Sequence, residues 1–365
     1  MVEAQISNTL RIALLLVSSL VLAIGTCGNP MVVRLYFVKG GKRIWFSSFL
    51  QSAGFPLLLI PLCISYFNRR RRRGTTANTK LFLMTSRLFL PSIFIGLLIA
   101  LDNYFYAYGV ARLPVSTAAI VVASQLGFTA MFAFLIVKQK FSAYSVNAIV
   151  LLTLGSGVLA LHTSSDRPEG ETTKLYVLGF IMTLAAAALY GLVMPLTELM
   201  LMKGKAVVTL TLVLEIQLVM SISATILCTV GMLINHDFQA IPREARAYEI
   251  GEANYYQVAV WNSITGQMFF LGVIGVISCS SSLLSGIIIS VLLPVTEVLA
   301  VIFFNEKFQA EKGVALVLSL WGFVSYFYGE IKHNKKKSKE ELPVDDQKNS
   351  SQSTEILMVT PIVDQ

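Results

Sequence analysis

The chain has 365 residues, of which 55% are hydrophobic and only 14% are charged. Soluble domains carry about 25% charged residues, so this composition excludes an ordinary soluble protein. A net charge of +8 would indicate a nucleic-acid partner in a soluble chain. In a membrane protein the same charge is expected in cytosolic loops, so we expect no nucleic-acid partner.

Ten apolar segments follow one another along the chain. Most have about the 18–25 residues that an α-helix needs to cross roughly 30 Å of hydrocarbon. A backbone inside a bilayer must satisfy its own hydrogen bonds, and this favours helices. The predicted spans are 10–37, 45–67, 88–110, 115–137, 143–161, 175–200, 208–233, 256–277, 281–304 and 313–330. We therefore expect an all-α integral membrane protein with ten transmembrane helices.

The links between the spans predict the orientation of the chain. Lys and Arg are more frequent in the links that share a side with the two chain ends, which places both termini in the cytosol. We expect a cytosolic N-terminal segment at 1–9 and a multi-pass protein of the plasma membrane, in contact with lipid. Residues 331–365 are lysine-rich and then polar, and are predicted to form a disordered cytosolic tail. The oligomeric state stays open.

An internal repeat divides the spans into two halves, at 10–161 and 175–330, joined by a linker at 162–174. Lys140-Phe141 recurs as Lys307-Phe308, 167 residues later. Further pairs at nearly the same offset are Pro30 and Pro195, Gln51 and Gln217, Leu126 and Leu293, and Thr129 and Thr296. Because each half has five spans, the second must insert upside down. Two inverted five-helix repeats are typical of alternating-access transporters, which bind substrate near the midplane.

Proline interrupts corresponding spans of the two halves. Asn29 precedes Pro30 in the first span, and Tyr190 precedes Pro195 in the sixth. A proline removes a helical hydrogen bond, and paired interruptions mark the central site of a transporter. Asn29 and Tyr190 are therefore candidate substrate-binding residues. Kinked packing without a binding role is the alternative, since membrane helices tolerate proline well.

Carboxylates inside the spans are candidate proton-coupling groups. An intramembrane carboxylate is costly and marks an ion or proton pathway. Four acidic residues lie in the spans: Asp102, Glu198, Glu215 and Glu297. Glu198, and next Glu297, are the candidates, because each lies about one helical turn past a proline. Ion pairing with Arg34 or Arg87 is the alternative. The first-half counterparts of three of the four are apolar, so we expect the second half to hold the titratable groups.

Neutral amides and aromatic side chains inside the spans predict a flat heteroaromatic ligand. Asn and Gln donate and accept hydrogen bonds together, as the edge of adenine does, and stacking a base on an aromatic ring is worth about 1–3 kcal/mol. The candidates are Trp45, Gln51, Asn103, Gln125, Trp261 and Gln267. Interfacial anchoring is the alternative for the two tryptophans, which lie near span ends.

The sequence lacks motifs for a phosphate-binding loop, a metal pair or an activated nucleophile, so we expect no enzyme, no cofactor and no metal. Several motifs instead resemble the plant purine permeases of the drug/metabolite transporter superfamily. They are Gly28-Asn29-Pro30, Leu101-Asp102-Asn103, Tyr106-Ala107-Tyr108-Gly109, Leu113-Pro114-Val115-Ser116-Thr117, Ser124-Gln125-Leu126, Tyr190-Gly191 with Pro195 and Glu198-Leu199, and Glu306-Lys307-Phe308.

The resemblance implies ten helices in two inverted halves and proton-coupled uptake of adenine, cytokinins and related heterocycles. One alternative is a nucleotide-sugar or other metabolite exchanger of the same superfamily, which needs cations deep in its cavity. The other is a non-transporting membrane receptor, which needs no driving ion.

Overall fold

A computed structural model describes residues 8–73, 82–113, 122, 124–139, 141–161, 173–204, 209–304 and 310–340. The regular structure in these ranges is entirely helical. Helices long and apolar enough to cross a membrane occupy Arg11–Val38, Ile44–Arg71, Ser86–Val110, Val177–Gly204, Leu210–Ile234 and Glu252–Cys279. The expectation of a helical, multi-pass membrane protein is confirmed.

Helices lie in the described part of every predicted span. They are α1 (Asn8–Val38), α2 (Ile44–Ala53), α3 (Pro56–Arg73), α4 (Ser86–Val110), α5 (Gln125–Phe132), α6 (Ala143–Leu161), α7 (Thr173–Gly204), α8 (Leu210–Ile234), α9 (Asp237–Arg246), α10 (Glu252–Cys279), α11 (Ser282–Phe304) and α12 (Ala310–Glu340). A π-helical turn, Ala133–Val137, continues α5. Six helices meet the length and hydropathy of a full span among these residues, so the count of ten stays a prediction.

Two features of the chain depart from the predicted spans. The second span is broken between α2 and α3 at Gly54 and Phe55, just before Pro56. Proline disfavours helical geometry in the residue before it and is well suited to the first position of a helix, which explains the break. In addition, the predicted link between the seventh and eighth spans contains the short helix α9.

The predicted disordered tail requires a correction at its start. Helix α12 continues to Glu340, ten residues into the segment predicted to be disordered. Lys and Glu are good helix formers, and extending an existing helix avoids the cost of nucleation. Several predicted features lie outside the described residues, namely 1–7, 162–172, 341–365, Lys140 and Lys307-Phe308.

The contacts between the helices can be compared with the pairs that the predicted repeat would relate. That repeat would relate α1 to α7, α2 to α8, α4 to α10, α5 to α11 and α6 to α12. The contact of α1 with α10 then corresponds to that of α7 with α4, and the contact of α1 with α11 to that of α7 with α5. Likewise α2 packs on α10 as α8 packs on α4, while α6 packs directly on its own counterpart, α12. The two halves therefore pack on each other in matching pairs.

Close approach between helices places the aromatic residues at the centre of the bundle. A Cβ on Gly25 of α1 would overlap the backbone of Phe269 on α10, so only glycine allows these two helices to approach so closely. Gly191 on α7 makes a similar approach to Phe128 on α5. Helices α1, α5, α7 and α10 thus meet around one central region.

A polar cluster around Glu244 joins four helices at one end of the bundle. Its carboxylate accepts hydrogen bonds from the hydroxyl of Tyr36 at 2.5 Å, the hydroxyl of Tyr255 at 3.1 Å and the backbone N–H of Lys42 at 3.1 Å. Arg43 lies 3.7 Å from Glu244 and 3.5 Å from Asp237. Burial raises the pKa of Asp237, although Arg43 opposes this. The cluster ties α9 to the ends of α1, α2 and α10.

We expect Glu244→Ala to destabilise the protein. Two tyrosine hydroxyls and a backbone N–H would lose their acceptor, and a buried polar group left without its partner costs about 1–3 kcal/mol. The melting temperature in detergent should fall by several degrees. The control is Glu249→Ala, which breaks the exposed pair with Lys39 at 3.2 Å and should cost less than about 1 kcal/mol. Equal melting temperatures for the two variants would contradict a stabilising role for Glu244.

Candidate substrate-binding site

The centre of the bundle contains a cavity of about 690 Å³, its open mouth included. Its walls come from α1, α2, α4, α5, α7, α10 and α11, so both halves of the chain contribute. The polar residues along it include Asn29, Gln51, Asp102, Asn103, Gln125 and Tyr190.

Five of the eight predicted substrate-binding residues line this cavity: Asn29, Gln51, Asn103, Gln125 and Tyr190. Asn29 on α1 donates a hydrogen bond from Nδ2 to Oε1 of Gln51 on α2, at 3.3 Å. Asn29 directly precedes Pro30, which also lines the cavity. The chain thus brings together amides from α1, α2, α4 and α5. Their role in binding stays a prediction.

Several polar atoms of these residues are buried without a hydrogen-bond partner. They are Oδ1 of Asn29, Nε2 of Gln51, Nδ2 of Asn103 and the hydroxyl of Tyr190. Leaving a buried polar group unsatisfied costs about 1–3 kcal/mol. A ligand whose edge carries both donors and acceptors can recover part of this cost, so the cavity favours a polar-edged molecule.

Aromatic rings form a second wall of the cavity. Tyr190 on α7 stacks on Phe269 of α10 with ring centroids 5.6 Å apart and planes at 29°. Phe270 meets Tyr190 edge to face at 6.4 Å. The two phenylalanines were not among the predicted site residues, although an aromatic pair follows Gln267 closely in the eighth span. This wall offers ring faces on which a flat heterocycle can stack.

Asp102 is a further polar residue of the cavity that the sequence analysis did not assign to the site. It lies on α4 beside Asn103, and its side chain is 8% exposed. The expectation that titratable groups would come from the second half is corrected here. Among the described residues that line the cavity, the carboxyl group comes from the first half. An ionisable residue next to a buried amide within one span was the available signal.

Three predicted residues do not line the cavity. Trp45 stacks on Tyr104 with centroids 4.1 Å apart, which fixes α2 against α4. Trp261 is 57% exposed on α10, as expected of a residue that faces lipid. Oε1 of Gln267 accepts a hydrogen bond from Ser221 at 3.2 Å and thereby joins α10 to α8. The structure assigns these side chains to packing between helices or to the outer surface.

The two candidate proton-coupling residues lie on α7 and α11. Oε2 of Glu198 accepts the backbone N–H of Ser282 at 2.7 Å, at the first residue of α11. A carboxylate is favourable there because it satisfies a free N–H and complements the helix dipole. Glu198 does not line the cavity. Glu297 belongs to α11, but its side chain lies outside the described part of the structure. Proton coupling by either residue stays a prediction.

The charge of the cavity wall limits the ligands that it can bind. Among the described residues that line it, none is Lys, Arg or His. Phosphate groups are bound in proteins mainly by Arg and Lys. The described wall therefore suits a neutral heterocycle better than a nucleotide.

Comparison with known proteins identifies the family. A family model described as purine nucleobase transmembrane transport matches residues 13–336. The chain belongs to the purine permease family. Purine permease 3 of Arabidopsis thaliana is 54% identical, and the match covers 94% of this chain and 96% of the relative. Purine permease 2 of the same plant is 51% identical over 92% of this chain and 99% of the relative.

Membership of the purine permease family confirms that the chain is a membrane transporter of purines and not an enzyme. One solved crystal structure shares the fold at 11% sequence identity. Its TM-score is 0.58, and the match covers 87% of this chain and 96% of that chain. This likeness concerns the fold alone.

We expect Asn103→Ala and Gln125→Ala to weaken substrate binding. Each change removes an amide from the cavity wall, and a hydrogen-bond contribution of about 1–3 kcal/mol corresponds to about a tenfold or greater rise in KM. Radiolabelled adenine uptake at matched surface expression measures this. Asn254→Ala, an exposed amide on α10, is the control and should leave KM unchanged. Wild-type kinetics in both cavity variants would contradict the assignment.

Proposed function

We propose that the chain imports adenine and related bases, including cytokinins, across the plasma membrane by alternating access, driven by the proton gradient. The observation that carries this proposal is the central cavity, which combines unsatisfied amide groups with a wall of aromatic rings. The purine nucleobase family of the chain and the names of its relatives support the same substrate class.

The amide wall of the cavity suits the edge of a purine base, and the aromatic wall suits its face. The amides of Asn29, Gln51 and Asn103 can pair with the edge, where adenine alternates donors and acceptors. The rings of Tyr190 and Phe269 can stack on its face. Apolar residues of α11 that line the cavity, Ile289 and Leu293, can hold an apolar substituent of the kind that cytokinins carry.

The arrangement of the helices supports transport by two inverted five-helix repeats. Helices related by the proposed repeat pack in matching pairs, and the cavity lies between the two halves. Pro30 and Pro195 lie inside α1 and α7 at positions that the proposed repeat relates, and the first half also has a break between α2 and α3. Interrupted helices at corresponding positions are where such transporters bind substrate.

Two other functions fit the observations less well. A nucleotide-sugar exchanger needs cations for the phosphates, and the described lining of the cavity has none. A receptor without transport has no need for an ionisable side chain in its binding site, whereas Asp102 lines this one.

Adenine uptake tests the proposed function directly. Cells that express the protein should accumulate radiolabelled adenine above the external concentration, and a protonophore should abolish accumulation because it removes the driving gradient. Cells without the protein are the control. Uptake that only equilibrates, with or without the protonophore, would contradict proton coupling but leave purine transport standing. An absence of uptake would contradict both.

We also expect both termini to be cytosolic. This orientation is predicted from the excess of Lys and Arg in the links on the same side as the termini. An epitope tag after Gln365 should bind antibody only in permeabilised cells, while a tag in the link that contains α9 should be labelled in intact cells. Labelling of the terminal tag without permeabilisation would contradict the orientation.

A further inference from the structure

Asp102 lines the cavity, which Glu198, the first of the predicted proton-coupling residues, does not. Its side chain is 8% exposed and lines the cavity next to Asn103. Nδ2 of Asn103 and the hydroxyl of Tyr190, two polar groups of the same wall, have no hydrogen-bond partner and so do not bond its carboxyl oxygens. Glu198 and Glu215, by contrast, both accept backbone N–H groups: Ser282 for Glu198, and Leu83 and Met84 for Glu215. The carboxyl group of Asp102 is thus available to a ligand.

A carboxyl group presents different edges in its two protonation states. The ionised form only accepts hydrogen bonds, whereas the protonated form has one O–H donor beside a carbonyl acceptor. Adenine presents an amino donor beside a ring-nitrogen acceptor. The protonated acid therefore matches this edge with two parallel hydrogen bonds, while the ionised form turns an acceptor towards the acceptor of the ring.

We propose that Asp102 binds the purine as a neutral carboxylic acid, so that one residue both recognises the base and takes up the coupled proton. The O–H donates to a ring nitrogen, and the C=O accepts from the neighbouring amino group. This inference rests on the proposed function and assigns its binding and coupling steps to a residue.

The proton balance of the cycle follows from this assignment. With the cavity open outward, Asp102 takes one proton from the outer solution, and the neutral base then binds to the acid. After the cavity opens inward, the base leaves and the carboxyl group releases its proton to the cytosol. One proton and one neutral base cross in each cycle, and the protein returns to its starting charge. As pH rises through the titration of Asp102, the protonated fraction falls and the affinity for adenine falls with it.

Within the part of the chain that the structure describes, the titratable groups around Asp102 do not supply another group for this role. Tyr190 on α7 and Tyr106 on α4 line the same cavity as Asp102. Free phenols titrate only near about pH 10. Helix α2 contains no titratable residue. On α8, Cys228 contacts Ser52. Glu215, on the same helix, binds the backbone of Met84. Met84 is about 27 Å from Asp102 along the chain, at the helical rise of about 1.5 Å per residue.

Two substitutions of Asp102 separate recognition from proton coupling. Asp102→Asn keeps one donor and one acceptor but cannot titrate, whereas Asp102→Ala removes both. The experiment uses the full chain in proteoliposomes with radiolabelled adenine. It measures exchange without a gradient, accumulation under an imposed pH gradient, and the dependence of exchange on pH. Glu198→Gln tests the rival coupling residue, and Glu252→Gln, an exposed carboxyl at the start of α10, is the control.

We expect Asp102→Asn to exchange adenine with a KM within about threefold of wild type, equally at acidic and alkaline pH, and to accumulate none. Asp102→Ala should raise KM by about tenfold or more, while Glu252→Gln should keep the wild-type pH profile. Loss of the pH dependence in Glu198→Gln but not in Asp102→Asn would overturn the inference. Accumulation by Asp102→Asn with the wild-type pH profile would overturn the inference, as would an unchanged KM in Asp102→Ala.

A second measurement on the wild-type protein covers the case in which the Asp102 variants do not fold. Purine without the 6-amino group lacks the donor that pairs with the acid. At acidic pH both bases accept from the O–H of the acid at a ring nitrogen, whereas only adenine can donate its amino group to the ionised carboxylate. The affinity for purine should therefore fall with rising pH at least as steeply as the affinity for adenine. An affinity for purine that does not change with pH would overturn the inference alone. A wild-type protein that transports no adenine would overturn the proposed function as well.

Discussion

Buried polar groups without protein partners are the physical constraint on which this molecule depends. In a bilayer, helices satisfy the backbone but leave polar side chains to find their own partners. Many serine and threonine hydroxyls bond a carbonyl of the preceding turn, as those of Thr129 and Thr197 do. The amides around the cavity do not have this local option, and Asn29, Gln51 and Asn103 keep unsatisfied atoms. In the cavity, a bound ligand can offset part of this cost.

The two halves of the cavity wall differ in chemistry although their helices pack alike. Helices α1, α2, α4 and α5 contribute the amides and the carboxyl group of Asp102, whereas α7, α10 and α11 contribute Tyr190, Phe269, Phe270 and aliphatic side chains. A planar base bound between these walls would meet hydrogen-bonding groups from one half and ring faces from the other. Its affinity would then depend on both halves being close together, and rearrangement of one half against the other would weaken its contacts. A binding site whose polar and aromatic groups come from different halves suits a transporter, because a transporter must release the substrate that it binds.

Much of the architecture was predictable from sequence because the length and hydropathy of a segment determine whether it forms a membrane helix. The amides Asn29, Gln51, Asn103 and Gln125 were predicted as site residues because a polar side chain within an apolar span needs hydrogen-bond partners. Hydropathy gives the depth of a residue but not the direction that it faces. Trp261 and Gln267 lie on α10, a helix that is apolar on nearly all sides, so its sequence does not reveal which side meets the cavity. Asp102 was overlooked for a related reason, since proximity to proline was taken as the guide to the carboxylates.

One end of the bundle is held together by charged and phenolic groups, and this bears on how the cavity opens. At the end that contains α9, Glu244 bonds Tyr36 and Tyr255, and Arg43 lies between Glu244 and Asp237. These residues come from α1, α9, α10 and the entrance to α2, so the cluster joins the first half to the second. With the predicted orientation, this end faces away from the cytosol. Opening the cavity outward by moving the halves apart would have to separate these charged and phenolic groups and expose them to water, where each finds new partners. Because water replaces the lost hydrogen bonds, such a cluster can close one end firmly and still open at a modest cost in free energy, as alternating access requires.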